Sequence, residues 1–158
     1  MTDRLSMLLC GAMGIVVASH PACARADEVD DARVRQAIKK GVDFLLRTQA
    51  GDGSWGTYGK PGESNYHRTG PTALVTYALL ESGLSAQDPR IRKALAFVGP
   101  HDETGTYSLG LRCLMWHATD RTAKGTYRRV LGGEAQRLWR STATGNYDYQ
   151  SKGRARAG

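Results

Sequence analysis

Helical segments with one apolar face alternate with helical segments that are apolar nearly all round. That alternation limits the possible folds more than any other feature of the sequence. From Arg33 onward, Val34, Ala37, Ile38, Gly41, Val42, Leu45 and Leu46 recur at helical spacing, with Arg35, Lys39, Lys40 and Asp43 turned away. Gly51-Asp52-Gly53 breaks this first helix, and residues 56–70 read as a polar loop. Pro71 opens a second helix, where its missing N–H costs nothing. Ala73, Leu74, Val75, Tyr77, Ala78, Leu79 and Leu80 leave that helix no polar side, which predicts burial all round until Gly83 stops it. Asp88-Pro89 is an N-cap followed by a first-position proline, and Ile91, Leu95 and Val98 give a third helix one stripe. Gly99-Pro100 ends it. A fourth helix over about 107–118 is again rather apolar, with Leu109, Leu111, Leu114, Met115 and Trp116. A fifth, over about 126–140, is one-faced and weakened by Gly132-Gly133. No segment reads as a strand. The pattern predicts an all-α chain in which one-faced outer helices cover inner ones, as a double layer of helical hairpins requires.

The first 26 residues read as an address. Arg4 precedes an apolar stretch from Leu5 to Ala18, too short for a spanning helix of about 20 residues. Ala22-Cys23-Ala24 and Ala24-Arg25-Ala26 then offer two cleavage sites. The expectation is export, periplasmic or extracellular, after cleavage near Ala24 or Ala26. Cleavage at either site removes Cys10 and Cys23 and leaves Cys113 without an intramolecular disulfide partner; cleavage after Ala24 leaves the formal charge at +7 because Asp3 and Arg4 cancel. No other run approaches spanning length, so the mature chain is expected to have no transmembrane span. Export also argues against nucleic acid as the partner of its basic surface.

A Gly-x-aromatic element follows each one-faced helix: Gly53-Ser54-Trp55, Gly105-Thr106-Tyr107 and Gly145-Asn146-Tyr147. The glycine is expected to make the left-handed turn that ends a helix, and the aromatic to fold back as a lid. Their spacings suit a helical-hairpin repeat. The first copy runs from Lys40-Gly41 through Phe44-Leu45 and Gln49 to Gly53-Ser54-Trp55. It closely resembles the QW motif of the prenyltransferase/squalene-oxidase repeat, found in squalene-hopene-cyclase-like α/α-toroid proteins. The openings at Gly70-Pro71-Thr72-Ala73 and Thr106-Tyr107-Ser108-Leu109-Gly110 resemble inner-helix starts of that repeat. The likeness is good over residues 30–118 and faint from Tyr127 to Tyr149. It implies a partial α/α toroid of about two and a half hairpins over 27–141, followed by a loose basic tail over 142–158. It also implies that Gln49 stacks on Trp55 and ties an outer helix to the next repeat. That role is structural.

The chemistry that the family would bring is not spelled out in the residues. The acid motif of the cyclases is Asp-x-Asp-Asp, whereas Asp27-Glu28-Val29-Asp30-Asp31 has another order and reads as a solvated lead-in. Cys113 and His117 stand at i, i+4 and are weak metal candidates without a third ligand at a telling spacing. Ser108, His117 and Asp102 make a triad only on paper, because no nucleophile motif accompanies them. Neither a catalytic residue nor a cofactor or metal is therefore assigned. Leu74, Tyr77, Leu80, Leu111, Leu114 and Trp116 are expected to build the core or line a shallow apolar concavity. The leading expectation is an exported, non-enzymatic repeat module for protein interaction or scaffolding, in the style of non-catalytic exported bacterial repeat proteins. Its partner would be another protein or a second copy, the latter completing the helix layers. Two alternatives stand beside it. One is a fragment of an isoprenoid cyclase or prenyltransferase-like enzyme lacking its catalytic half; the other is a carrier of a hydrophobic ligand.

Overall fold

The sequence's punctuation marks reappear as the ends of five α-helices: α1 (Asp31–Thr48), α2 (Gly70–Glu81), α3 (Pro89–Val98), α4 (Thr106–Ala123) and α5 (Arg128–Arg140). The computed structural model describes residues 30–63, 66–142, 147 and 149. The compact unit containing the five helices starts at Asp31. The expected leader over 1–26, the element at Gly145 and nearly all of the basic tail lie outside the described residues. Among the described residues the fold is all-α. The nearest approach to a strand is a single antiparallel bridge between Tyr58 and His67.

Local chemistry explains most boundaries. Asp31 in the first turn of α1 and Arg47 in its last match the helix dipole, and Lys39 pairs with Asp43 at 2.9 Å along its outer side. The Asp88 carboxylate accepts the Arg90 N–H at 2.8 Å, so α3 starts where the Asp-Pro pair predicts. α4 runs five residues beyond its last apolar run at Ala118. The Thr119 hydroxyl donates to the Met115 carbonyl at 2.8 Å, and the helix then stops at Lys124 and Gly125, both at positive φ.

The two largely apolar helices, α2 and α4, pack against one another most extensively, α5 lies against α4, and α3 against α2. α2 and α4 are parallel. Gly70 abuts Ser108 at their N-terminal ends, where a Cβ on Gly70 would come within 2.6 Å of the serine hydroxyl. Glu81 and Arg121 form an ion pair at their C-terminal ends. α4 and α5 are antiparallel, with Trp116 stacked on Tyr127 at 5.4 Å and Arg112 paired with Glu134 a helical turn further on. Leu79, Leu80, Ile91, Leu95, Met115 and Trp116 form the centre of the core. Val42, Leu45 and Leu46 join it from the last two turns of α1, while Asp31 to Gly41 are exposed throughout.

The expectation that α2 is covered on all sides needs correction. Leu74 and Ala78 are exposed on α2, and Tyr107 and Leu114 on α4. α2 has α3 on one side and α4 beside it, and α4 has α5 and α2; among the described helices this leaves one flank of the pair open.

Candidate functional site

The segment from Lys40 to Trp55 forms a joint between three helices. After α1 ends, Gly53 turns the chain with φ +95°, and its Cα lies so close to α3 that a Cβ would fall 2.5 Å from the Lys93 carbonyl oxygen. The Ser54 hydroxyl and N–H both donate to Asp52 Oδ1, at 2.7 and 3.0 Å, closing the turn. They hold the Asp52 carboxyl below its usual range. The Gln49 amide donates to the Gly53 carbonyl and to the Arg90 carbonyl of α3, both at 3.0 Å. Trp55 is buried, its indole N–H donating to the Leu45 carbonyl in the last turn of α1 at 2.8 Å. Its backbone N–H donates to Thr72 Oγ1 in α2 at 3.0 Å. Gln49 and Trp55 thus fasten α1 to α3 and α2. Lys40, Gly41 and Phe44 of the same motif are exposed, and only Leu45 turns inward.

At Gly105 the geometry differs from the expectation. Its φ is −67°, so it makes no left-handed turn. A glycine is needed there because a Cβ would sit 2.3 Å from His67 Nδ1. Tyr107 is not a lid either: it starts α4, stays 57% exposed, and meets the His67 ring edge-on at 5.7 Å. The buried His67 reaches Ser108 instead, with Nδ1 2.8 Å from Oγ. The paper triad of Ser108, His117 and Asp102 does not assemble, because Asp102 pairs with Arg137 and His117 is exposed.

Beside this pair lies a group that the sequence did not advertise. The buried Glu103 carboxylate accepts the Thr69 N–H at 3.2 Å and the Thr69 hydroxyl at 3.0 Å with one oxygen. Its other oxygen accepts the Gly105 N–H at 3.3 Å. Thr69 and Gly105 are the N-cap residues of α2 and α4. One negative charge therefore closes the N-terminal ends of two parallel helices, where both dipoles are positive.

A second buried network joins α4 to α5. Arg112 binds Glu134 through Nε at 2.9 Å and again through Nη2, and donates from Nη1 to the His101 carbonyl at 2.6 Å. The Trp116 indole N–H donates to the other Glu134 oxygen at 3.1 Å. A hollow of about 400 Å³ opens beside it, lined by His101, Arg112, Gly133, Glu134 and Arg137 among others. Its charges are matched within the chain, Arg112 to Glu134 and Arg137 to Asp102. Cys113 is half-buried, and burial, with the Glu134 charge adding to it, pushes its thiol up to about 11. Among the described residues, no three His, Cys, Asp or Glu side chains gather as a metal set.

The six residues expected at the apolar concavity divide. Leu80 and Trp116 are core residues: Leu80 belongs to the buried cluster with Leu79, Ile91 and Met115, and Trp116 answers Glu134 and Tyr127. Tyr77 and Leu111 are half-buried against the core. Leu74 and Leu114 remain 43% and 46% exposed. Leu74 and Glu81 are seven residues apart, as are Tyr107, Leu114 and Arg121, so each set shares one helical face. The Glu81–Arg121 pair shows that the two faces open to the same side. Leu74, Tyr77, Ala78, Tyr107, Leu111 and Leu114 thus form one apolar strip across α2 and α4, with a charged pair at its C-terminal end. None of the described helices is long and apolar enough to cross a membrane. Compared with known proteins, the chain matches no family model, no curated protein and no solved structure.

Proposed function

We propose that the chain is an exported, non-enzymatic repeat module that holds a partner protein on the open strip of α2 and α4. The observation that carries this reading is the exposure of Leu74 and Leu114 on one continuous face of two helices that are otherwise well packed. Single exposed apolar side chains are ordinary, but a contiguous strip with a polar rim is what docking surfaces have. Glu103 ties the helices at one end and the Glu81–Arg121 pair at the other, so the strip is held in one shape before a partner arrives. Its openness suits a helix or extended segment of a protein better than an enclosed lipid, which favours the interaction reading over the carrier reading. The polar groups buried nearby, Glu103 and Glu134, are engaged in closing helix ends and joining helices. Export rests on the signal anatomy of residues 1–26, and membership of the QW-type repeat on Lys40 to Trp55.

A photoreactive phenylalanine at position 114 tests this in the cells that make the protein. The expected result is one discrete protein adduct that Leu74→Glu abolishes and that the same probe at Arg92, on the outer side of α3, does not give. No adduct at position 114, or one indifferent to Leu74→Glu, overturns the reading.

A further inference from the structure

We propose that the hollow beside Arg112 and Glu134 is a binding site for a small zwitterion of the amino-acid class. Its volume of about 400 Å³ lies within the range of small-molecule sites. Three stretches of chain wall it: the turn from Gly99 to Asp102, Arg112 of α4, and a face of α5 carrying Val130, Gly133, Glu134 and Arg137 at i, i+3, i+4 and i+7. Arg112 joins all three, through the His101 carbonyl and the Glu134 carboxylate. Burying such an ion pair returns little stability, but here it fixes the shape of the hollow before a ligand arrives. Gly133 keeps the hollow open. It stands in the interior of α5, where glycine destabilises a helix, and neither packing nor backbone demands it. A Cβ there would meet nothing within 4 Å, and its φ is not left-handed. Gly132 has the same freedom but does not line the hollow.

The lining charges name the ligand class. A bare anion meets Asp102 and Glu134, and a bare cation meets Arg112 and Arg137, whereas a molecule carrying both charges is opposed by neither pair. Among the described residues, Arg137 donates to Asp102 and to the Glu103 carbonyl through Nη1 alone. That leaves the Nε–Nη2 edge of its guanidinium, which can grip a carboxylate with two parallel bonds. Asp102 spends one oxygen on Arg137. His101 donates from Nδ1 to the Phe97 carbonyl at 2.6 Å, so its other ring nitrogen is the one left to accept. These two residues supply acceptors for an ammonium group. The Arg137–Asp102 pair is exposed, and parting such a pair costs little. Pro100 and Val130 add apolar wall for a side chain of about leucine size. The α2–α4 strip takes no part, and this inference stands apart from the proposed function.

Chemical-shift titration of the isotope-labelled full chain with L-leucine, 4-methylpentanoate and leucine amide provides the test. Leucine is expected to bind in the millimolar range or tighter, moving the Gly133 amide and Arg112 Nε signals. Each one-charge analogue is expected to bind at least about tenfold more weakly, since it lacks one charge-assisted bond. Gly133→Leu is expected to abolish binding while melting no lower than wild type, and Gly132→Leu to leave binding unchanged. No response to leucine at tens of millimolar overturns the proposal. So do shifts that fall elsewhere, equal binding of the three compounds, or a Gly133→Leu variant that binds as wild type does. Should Gly133→Leu lose its helical signal, Arg137→Gln carries the same test: it is expected to weaken leucine at least about tenfold, and undiminished binding refutes the inference.

Discussion

Replacing Gly53 by alanine isolates the joint between α1 and α3. Two penalties fall on the same methyl group. The backbone at φ +95° is one that an L-residue adopts at a cost of about 1–2 kcal/mol. The new Cβ would also lie 2.5 Å from the Lys93 carbonyl oxygen and 2.7 Å from its carbon, which are backbone atoms and cannot swing aside. Relief requires α3 to withdraw by roughly an ångström, the difference from an ordinary contact of about 3.5 Å. That withdrawal stretches the Gln49 bond to Arg90, one turn from Lys93, at a cost of about 1 kcal/mol, with further loss from loosened packing. The sum is about 3–5 kcal/mol, a large part of a total stability of about 5–15 kcal/mol. Melting followed by circular dichroism is expected to drop by about 10 °C or more. Two neighbouring glycines separate the causes. Gly56 has φ +59° with nothing near its Cβ position, so Gly56→Ala is expected to cost about 1 kcal/mol from strain alone. Gly51 has open space and no left-handed φ, so Gly51→Ala is expected to fall within about 0.5 kcal/mol of wild type. If Gly53→Ala melts no lower than Gly56→Ala, α3 does not press on the turn and the account of the joint is wrong.

Trp55→Ala is expected to cost about 3–5 kcal/mol, and Trp55→Phe only about 1–2, since it keeps most of the burial and loses the bond to the Leu45 carbonyl; urea titrations compare the two. Arg112→Met strands a buried carboxylate and is expected to cost about 3–5 kcal/mol, most of it recovered in Arg112→Met/Glu134→Met, a non-additivity that a double-mutant cycle measures. Cys113 holds its proton in the folded chain to about pH 11, against 9.0 when unfolded, so unfolding releases a proton between those values. Stability is therefore expected to fall as pH rises through that window, and Cys113→Ala to flatten this part of the pH–stability curve. Alkylation of the native thiol is expected to accelerate about tenfold per pH unit up to pH 10, and a plateau near pH 8 contradicts the buried thiol.

The helices were legible because their signals are local. Asp88-Pro89 names the start of α3 within two residues, and the stripe from Ile91 to Val98 names its buried side. The open strip was not legible in the same way. Leu74 and Leu79 are the same residue type on one helix, and hydropathy cannot separate a leucine covered by its own chain from one left open. The buried polar groups were missed because their partners lie far along the sequence. Thr69 and Glu103 are 34 residues apart, and His67 and Ser108 are 41 apart, so no short motif links them. Glu103 sits in a His-Asp-Glu-Thr stretch that reads as a solvated loop. Two signals were nevertheless present. A lone Arg112 inside an apolar helix demands a buried acid, and parallel helices place like dipole ends together, which demands an anion between them.

That shared anion decides where the chain can be cut. Glu103 belongs to the connection between α3 and α4, yet it completes the beginning of α2, which starts 33 residues earlier. A fragment ending with α3 at Val98 leaves the Thr69 N–H and hydroxyl without their acceptor. The smallest piece of this protein able to complete the start of α2 therefore extends to Glu103. During synthesis, α2 remains provisional until residue 103 has left the ribosome. The connection between α3 and α4 cannot therefore be shortened or replaced as a mere linker, because it also serves a helix that precedes both.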